Sequence, residues 1–272
     1  MMIPEEIILS RPCEALRPYV RYYWIFRSGR RLNTLTFPIG CPQIIFHKGK
    51  PLYIPELDTS QDRLTISGQV NFSSHLYTDG NTEMIVAVFH PHTLPIFLNT
   101  PMSLFYNQEV SGYGLEDMGL NCLAESIFGC EDNSICIRMI EEWLLSRLIS
   151  CRYDAAYSVR RIGASVQRML IAPQTPVTEL SSIACLSKKQ FERQFDSLVG
   201  INPKEYARLV RFRKALAQMQ HHKEANMAQI AFCCGYADQS HFIREVKRFS
   251  GYTPSALLNK AEPYSDLFSD PV

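Results

Sequence analysis

Apolar and polar residues alternate in two different ways along the chain, and the first way indicates β-strands. Up to about residue 98, short runs rich in β-branched and aromatic residues are separated by Pro and Gly. Such runs are typical of an antiparallel sheet or a small barrel. The predicted strands are YVRYYWIF (19–26), NTLTF (33–37), PQIIFH (42–47), PLYI (51–54), LTISG (64–68) and EMIVAVF (83–89). A further strand or turn is predicted at Thr93–Leu98, where Pro95 interrupts the run.

After Gly114 the apolar spacing becomes that of helices. Helices are predicted near Leu115–Phe128, Ser134–Ile149 and Ala155–Leu170, and the Pro-rich segment 172–176 ends the last of them. The second of these helices has one apolar side, formed by Ile140, Trp143, Leu144 and Leu148. That side suits packing on the β-rich part or self-association in a homodimer, and the pattern leaves both open.

The stretch GYADQSHFIREVKRFSGYTP, towards the C-terminal end, predicts two short helices joined by a tight turn. Gly235 suits the left-handed turn that ends the first helix, and Asp238 suits the N-cap of the second. On that second helix Phe242, Val246 and Phe249 form one apolar stripe, and polar residues occupy most other positions. This arrangement is typical of a helix-turn-helix motif that enters a major groove.

The same pattern occurs 51 residues earlier. The matching positions are Ser187, Phe191, Arg193, Phe195, Gly200 and Pro203, which precede Asp238, Phe242, Arg244, Val246, Gly251 and Pro254. One copy alone would fit an ordinary amphipathic helix in a helical domain. Two copies of a cap, a stripe, an arginine and a Gly-x-x-Pro exit in register instead favour a pair of helix-turn-helix motifs.

Two capping signals define the helices between these copies. Ser187 and Gln190 form a capping box, which starts the first recognition helix at Lys188. Asn202 as a cap and a proline as the first helical residue predict another helix over Pro203–Gln220. One face of that helix is apolar, with Leu209, Phe212, Leu216 and Met219.

These residues resemble the C-terminal pair of helix-turn-helix motifs of the AraC/XylS transcription regulators, over about residues 164–258. The resemblance implies that the helix from Pro203 is a rigid spacer. Such a spacer lets two recognition helices of one chain enter successive major grooves, which recur about every 34 Å along DNA. The DNA-binding positions that the resemblance implies are Lys188, Lys189, Glu192, Arg193, Gln239, Ser240, His241, Arg244 and Arg248.

The chemistry of these side chains suggests different contacts in the groove. Arg193 suits a bidentate bond to guanine, Arg244 suits guanine or phosphate, and Gln239 suits adenine. Glu192 suits the amino group of cytosine, and an ion pair with Lys188 or Lys189 on a solvated face is the alternative explanation.

Other positions suit the phosphates or the turn geometry. Ser240 and His241 suit phosphate or a flexible base contact, and Arg248 and Lys247 suit phosphate or simple solubility. Members of the family usually have Gly where Cys185 stands, so we expect a strained left-handed turn at this position.

The N-terminal part resembles the β-rich sensory modules fused to this family, through TFPIG (36–40), ISGQ (66–69) and VFHP (88–91). The resemblance implies a small apolar or mixed effector in a cavity of a few hundred Å3 inside the β-rich part. The expected fold class is α+β, with a cupin-like or small-barrel domain, helices, and an all-α domain of two helix-turn-helix motifs. The predicted parts are a sensory domain (1–130), a helical connector (131–163), a DNA-binding domain (164–262) and a tail (263–272).

Charge and cysteine content agree with this division. Residues 164–262 hold 14 Lys and Arg against 8 Asp and Glu, whereas residues 1–163 hold 14 against 17. The C-terminal part is therefore the expected partner of a polyanion. The nine cysteines form no C-x-x-C pair, no basic-then-apolar leader is evident, and no apolar run approaches a membrane span of ~20 residues. We expect reduced thiols in the cytoplasm and no membrane partner.

The leading hypothesis is a sequence-specific transcription regulator, with an activator as the expected type, rather than an enzyme. Its expected partners are double-stranded DNA and RNA polymerase, and no cofactor or metal is predicted, because the HPH motif at 90–92 lacks a third ligand. An architectural DNA binder, with little sequence preference, stays open. So does a DNA-repair alkyltransferase, which would need a zinc cluster whose spacing is absent from Cys13, Cys41, Cys122 and Cys130.

Overall fold

The computed structural model describes residues 6–151, 153–221 and 226–258, which form a β-rich N-terminal domain and a helical C-terminal domain. The strands are β1 Glu6–Ser10, β2 Val20–Ser28, β3 Leu32–Thr36, β4 Gln43–His47, β5 Tyr53–Ile54, β6 Thr59–Ser60, β7 Leu64–Ser67, β8 Ser74–Thr78, β9 Thr82–Phe89 and β10 Glu109–Ser111. The helices are α1 Pro95–Leu98, α2 Met118–Phe128, α3 Asn133–Ser150, α4 Tyr153–Ile171, α5 Val177–Ile183, α6 Lys188–Val199, α7 Pro203–His221, α8 Met227–Cys233, α9 Gln239–Ser250 and α10 Pro254–Leu258. The predicted tail, 263–272, lies outside the described residues.

The strands form two antiparallel sheets. One sheet has the strand order β1-β2-β9-β4-β7-β10, and the other has the order β3-β8-β5-β6. The two sheets do not close into a barrel. The α+β fold class is therefore confirmed, but with an open two-sheet arrangement in place of the small-barrel alternative.

Strand β2 shows why the longest predicted strand is apolar at nearly every position. Trp24 and Phe26 point into the space between the two sheets, where they belong to one buried cluster. Tyr23 and Ile25 belong to another cluster on the opposite face, together with residues of α1, α2 and α3. Because both faces of the strand are covered, the run shows no polar alternation.

The helices of the N-terminal domain agree with the prediction except at their starts. Helix α2 begins at Met118 rather than Leu115, because Asp117 caps it by accepting from the backbone N–H of Leu120 at 3.0 Å. In α3, Ile140 and Leu144 are buried in the core of the β-rich domain. Packing on that domain therefore buries this stripe without a second copy of the chain.

The strand predicted over residues 93–98 is wrong, and the turn given as its alternative holds only for Thr93 and Leu94. Pro95 is the first residue of the short helix α1, a position at which a proline's missing N–H costs nothing. Ile96 and Phe97 are buried, so the apolar run reflects burial rather than a strand. Strands β1, β6, β8 and β10 escaped prediction, because most of their residues are half-buried or exposed.

Helix α4 extends across the predicted domain start at residue 164. Its residues Ile162, Val166 and Met169 are buried in the core of the C-terminal domain. Phe37 of the β-rich domain enters the same core, with its ring centroid 6.2 Å from that of Phe212 in α7. The C-terminal core is thus completed by residues from both sides of the predicted boundary.

A partly buried ion pair fixes α9 against α7. The carboxylate of Glu245 accepts from the Nε and a terminal nitrogen of Arg208, at 2.8 and 2.5 Å. Burial raises the pKa of Glu245, but the hydrogen bonds and positive charge of Arg208 outweigh it, so the pKa lies below its ordinary value of 4.5. Glu245 therefore stays ionised and attached at neutral pH.

We expect residues 164–262 to fold and to bind DNA in a salt-dependent way without the rest of the chain. Because Ile162 is buried, residues 153–262 should be more stable than 164–262 by roughly 2 kcal/mol. Urea unfolding of the two fragments measures the difference. Equal stability would show that the first turns of α4 belong to the N-terminal domain, and two unfolded fragments would contradict the boundary itself.

We expect Glu245→Gln to lower the free energy of unfolding at pH 7 by about 1–2 kcal/mol, because Arg208 then loses a charged acceptor. Since the folded pKa of Glu245 is lowered, its contribution is present above pH 4.5 and is lost as the pH falls through the folded pKa. Urea midpoints from pH 7 to pH 3 should therefore fall more steeply for the wild type. Glu179→Gln is the control, because the Arg168–Glu179 pair is exposed, and its effect should stay below roughly 0.5 kcal/mol.

Candidate nucleic-acid interface

The first motif, α5 and α6, has the predicted cap and stripe. The side-chain oxygen of Ser187 accepts from the backbone N–H of Gln190 at 3.4 Å, and Gln190 accepts in return from the backbone N–H of Ser187 at 3.2 Å. Phe191 and Phe195 are fully buried. Gly200 ends α6 in the left-handed conformation, with φ 93°. The recognition helix therefore begins at the predicted residue and is fixed at both ends.

The second motif, α8 and α9, repeats these features. Asp238 caps α9 by accepting from the backbone N–H of His241 at 2.7 Å. Phe242, Val246 and Phe249 are buried, and Gly251 ends the helix with φ 77°. Every signal predicted for this motif is confirmed.

The two turns differ by one residue. Leu186 donates its backbone N–H to Ser181 at 2.9 Å, and Tyr236 donates to Ala231 at the same distance, so these turns match at a spacing of 50. The caps that follow lie 51 apart, because the second turn has an extra residue before its cap. The second recognition helix thus leaves a longer turn.

Cys185 adopts the left-handed conformation expected of a glycine, with φ 51°. This conformation costs a non-glycine residue about 1–2 kcal/mol. The guanidinium of Arg161 offsets part of that cost, because it donates to the backbone carbonyls of Ala184 and Cys185. The strained turn expected from the sequence is confirmed, and its supporting arginine comes from α4.

All nine predicted contact residues lie at the surface of α6 and α9. Seven are exposed, whereas Glu192 and His241 are half-buried. Within the described ranges, Glu192 forms no ion pair with Lys188 or Lys189. Its carboxylate is therefore open to a partner from outside the chain.

Two of these residues also contact their own domain. The ring of His241 packs edge-on against Tyr236, with 5.4 Å between centroids, and burial raises the pKa of the Tyr236 phenol. Arg248 forms an ion pair with Glu205 of α7 at 3.2 Å. Lys247 and Arg244 are exposed. Arg244 is thus the central exposed cation of α9, and Arg248 is tied to the spacer helix.

Sequence reasoning missed the acidic residues that support the surface. Glu245 is buried next to the apolar stripe of α9, and Glu205 is mostly buried in the first turn of α7. The available signal for Glu245 was its position directly before Val246, a residue of the buried apolar stripe. Its partner could not be read from the sequence, because Arg208 is 37 residues away.

Two cavities are relevant to an effector. The one between the sheets measures about 80 Å3, which corrects the prediction of a few hundred Å3, because large side chains such as Trp24 and Phe72 fill that space. A larger cleft of about 440 Å3 lies between the two domains, against α4 and α7. Three basic residues line it: Arg21, Arg213 and Lys214.

Other site types lack support in the part of the chain that the structure describes. No group of three or more His, Cys, Asp or Glu side chains there is arranged to hold a metal ion, and the nine cysteines are free. None of the helices in the same ranges combines the length and the apolar character that crossing a membrane requires.

Comparison with known proteins identifies the C-terminal part. A family described as Helix-turn-helix domain matches residues 180–260, and a Domain of unknown function (DUF6597) matches residues 10–111. The chain is 38% identical over 80 residues to the probable transcriptional regulator LumQ of Photobacterium leiognathi, covering 29% of this chain and 32% of LumQ. It is 33% identical over 69 residues to the transcriptional activator RhaS of Escherichia fergusonii, covering 25% of this chain and 24% of RhaS.

A solved structure is also similar. It is that of a transcriptional regulator from Chromobacterium violaceum, described under AraC-type DNA-binding domain-containing proteins. The identity is 22%, the match covers 40% of this chain and 98% of that chain, and the TM-score is 0.37. The chain spans about a third of the length of LumQ and about a quarter of the length of RhaS. The helix-turn-helix family match, over residues 180–260, spans both recognition helices. Residues 180–260 therefore carry a helix-turn-helix domain, and the chain is similar over part of its length to the transcription regulators LumQ and RhaS.

Proposed function

We propose that this protein is a sequence-specific DNA-binding transcription regulator in which the β-rich domain biases how the helix-turn-helix pair meets DNA. The observation that carries the proposal is the pair of recognition helices α6 and α9. Each has a capped start, a buried aromatic stripe and an exposed polar face. Two such faces on one rigid spacer suit two successive major grooves.

The finer parts of the proposal rest on the relatives. RhaS is named a transcriptional activator and LumQ a probable transcriptional regulator. By analogy we assign activation to this chain, with RNA polymerase as partner, the cytoplasm as location and no enzymatic activity. The boundaries predicted from the sequence are part of this proposal, with α4 as an element shared across residue 164. A homodimer contact is assigned to the connector, 131–163, on the side that does not pack on the β-rich domain.

An effector belongs to the proposal, and the cleft between the domains is the better site for it. Its volume of about 440 Å3 lies within the range of ordinary ligand sites. Lys214 supplies positive charge, Leu170 and Val210 supply apolar walls, and no Asp or Glu of the described residues lines the cleft. These features suit an amphipathic anion, such as a carboxylate with an apolar body.

We expect octanoate to raise the Tm of the full chain by mass action, and 1-octanol at the same concentration to leave it nearly unchanged. Lys214→Gln should weaken octanoate binding by about tenfold, because a charge-assisted hydrogen bond is lost. Thermal unfolding over a ligand series measures both. Equal effects of octanoate and octanol would contradict an anion site, and an unchanged Tm with both would contradict this cleft as the effector site.

We expect Arg244 and Lys247 to make different contributions to DNA binding. If Arg244 bonds to guanine, Arg244→Ala should cost about 1–3 kcal/mol on the best site and remove the preference at one base pair. If Lys247 contacts only phosphate, Lys247→Ala should weaken all DNA equally and reduce the salt slope by roughly one counterion.

Binding isotherms at several salt concentrations, on specific and scrambled duplexes, separate the two effects. An equal loss on both duplexes for Arg244→Ala would show that this arginine holds phosphate rather than a base. Equal affinity of the wild-type protein for the specific and scrambled duplexes would support the architectural binder instead.

A further inference from the structure

Glu205 connects the β-rich domain to the second recognition helix. Its side chain lies in the first turn of α7 and is 15% exposed. One carboxylate oxygen, Oε1, accepts from the amide Nδ2 of Asn71 at 2.8 Å and from the phenol of Tyr106 at 3.0 Å. The same oxygen accepts from the guanidinium of Arg248 at 3.2 Å. Donors from two domains therefore meet at a single carboxylate.

The β-rich side of this contact is held firmly. Asn71 and Asn107 bond to each other twice, because the backbone N–H of Asn71 donates to the side chain of Asn107 at 3.0 Å and the Asn107 amide donates back at 3.1 Å. Asn71 also donates to the phenol oxygen of Tyr106 at 2.5 Å. Burial and the hydrogen bond to Glu205 raise the pKa of Tyr106 to about 12, so the phenol remains a donor at neutral pH.

The same side of the β-rich domain reaches the C-terminal ends of both recognition helices. A side chain added at Gly200, the cap of α6, would lie 2.9 Å from the carbonyl of Met102. Next to α9, a Cβ atom at Gly251 would lie 4.0 Å from the hydroxyl oxygen of Ser73. The segment that carries Tyr106 therefore adjoins the end of α6, and the segment that carries Asn71 adjoins the end of α9.

Arg248 can donate to a DNA phosphate while it is bound to Glu205. It lies in the last turn of α9, and its side chain is 40% exposed. A guanidinium has five N–H donors, of which the bond to Glu205 uses one, so others remain for a phosphate oxygen. A long side chain held in one place loses less conformational freedom when it binds.

We propose that Glu205 is a positioning residue, through which Asn71 and Tyr106 of the β-rich domain hold Arg248 in place to contact a DNA phosphate. The inference rests on the proposed function, because it needs the C-terminal domain to bind DNA. It adds a route for regulation: any shift of the segment that carries Tyr106 changes how firmly Arg248 is presented. Since Asn71 and Tyr106 are uncharged, their effect on DNA passes through Glu205 and not through a direct charge.

The test is a double-mutant cycle on DNA binding by the full chain. Tyr106→Phe and, separately, Asn71→Ala should each weaken the specific and the scrambled duplex alike by about three- to tenfold, because a phosphate contact carries no sequence information. In the Arg248→Ala background the same substitutions should change the affinity by less than about twofold, because the residue on which they act is gone. Tyr113→Phe is the matched control: that phenol bonds to Glu125 at 2.9 Å, away from α7, and its removal should leave DNA binding unchanged.

Three results would overturn the inference. Loss of the same size in the wild-type and Arg248→Ala backgrounds would show a general structural effect instead of positioning. No loss in the wild-type background for either substitution would show that the contact is irrelevant to DNA. A loss confined to the specific duplex would assign Arg248 to base reading. If the wild-type protein binds no duplex at all, the proposed function itself is wrong, which distinguishes that failure from the other three.

Discussion

The position of Phe212 on α7 is the constraint on which the rest of the structure depends. Its ring stacks on that of Phe249 in the second recognition helix, with 5.1 Å between centroids. It also packs against the ring of Phe37 in the β-rich domain, with 6.2 Å between centroids. Aromatic pairs of this kind contribute about 0.5–1.5 kcal/mol beyond the burial of their surface. Because one fully buried ring contacts both the β-rich domain and α9, the orientation of the second recognition helix is not independent of the β-rich domain. The spacer helix therefore links the two domains as well as the two motifs.

Polar contacts add to the apolar core in fixing the position of α9. Arg208 and Glu245 fix α9 against α7 from inside the C-terminal domain, and Glu205 joins Arg248 of α9 to the β-rich domain. Both carboxylates lie on or against α7, at the side of the domain where α9 packs. Hydrogen-bonded ion pairs are directional, so they fix the rotation of α9 about its own axis. Aromatic packing alone would allow α9 to slide along α7. The buried contacts thus stabilise α6 and α9, and the exposed side chains on their outward faces suit contacts with DNA.

Local signals in the sequence were sufficient to predict the two motifs. They were not sufficient to predict the contacts between the motifs and the rest of the chain. The caps at Ser187 and Asp238, the aromatic stripes and the left-handed turn at Cys185 depend on neighbours within a few residues, and all are found as expected. Helix α1 was misjudged because burial makes a helix and a strand equally apolar over so short a run. The cavity between the sheets is smaller than expected, because strand patterns predict which side chains point inward but not how completely they fill the space. The partners of Glu205 could not be predicted from the sequence, because Asn71 lies 134 residues away along the chain.

The central claim is that two recognition helices of one chain read DNA together at a distance set by α7. Selection of bound duplexes from a random pool, followed by footprinting on the recovered site, tests it most directly. We expect two short conserved elements on one face of the duplex, with centres one helical turn or about 10–10.5 base pairs apart, both protected by a single chain. A single conserved element, or a recovered pool without any shared sequence, would contradict the claim.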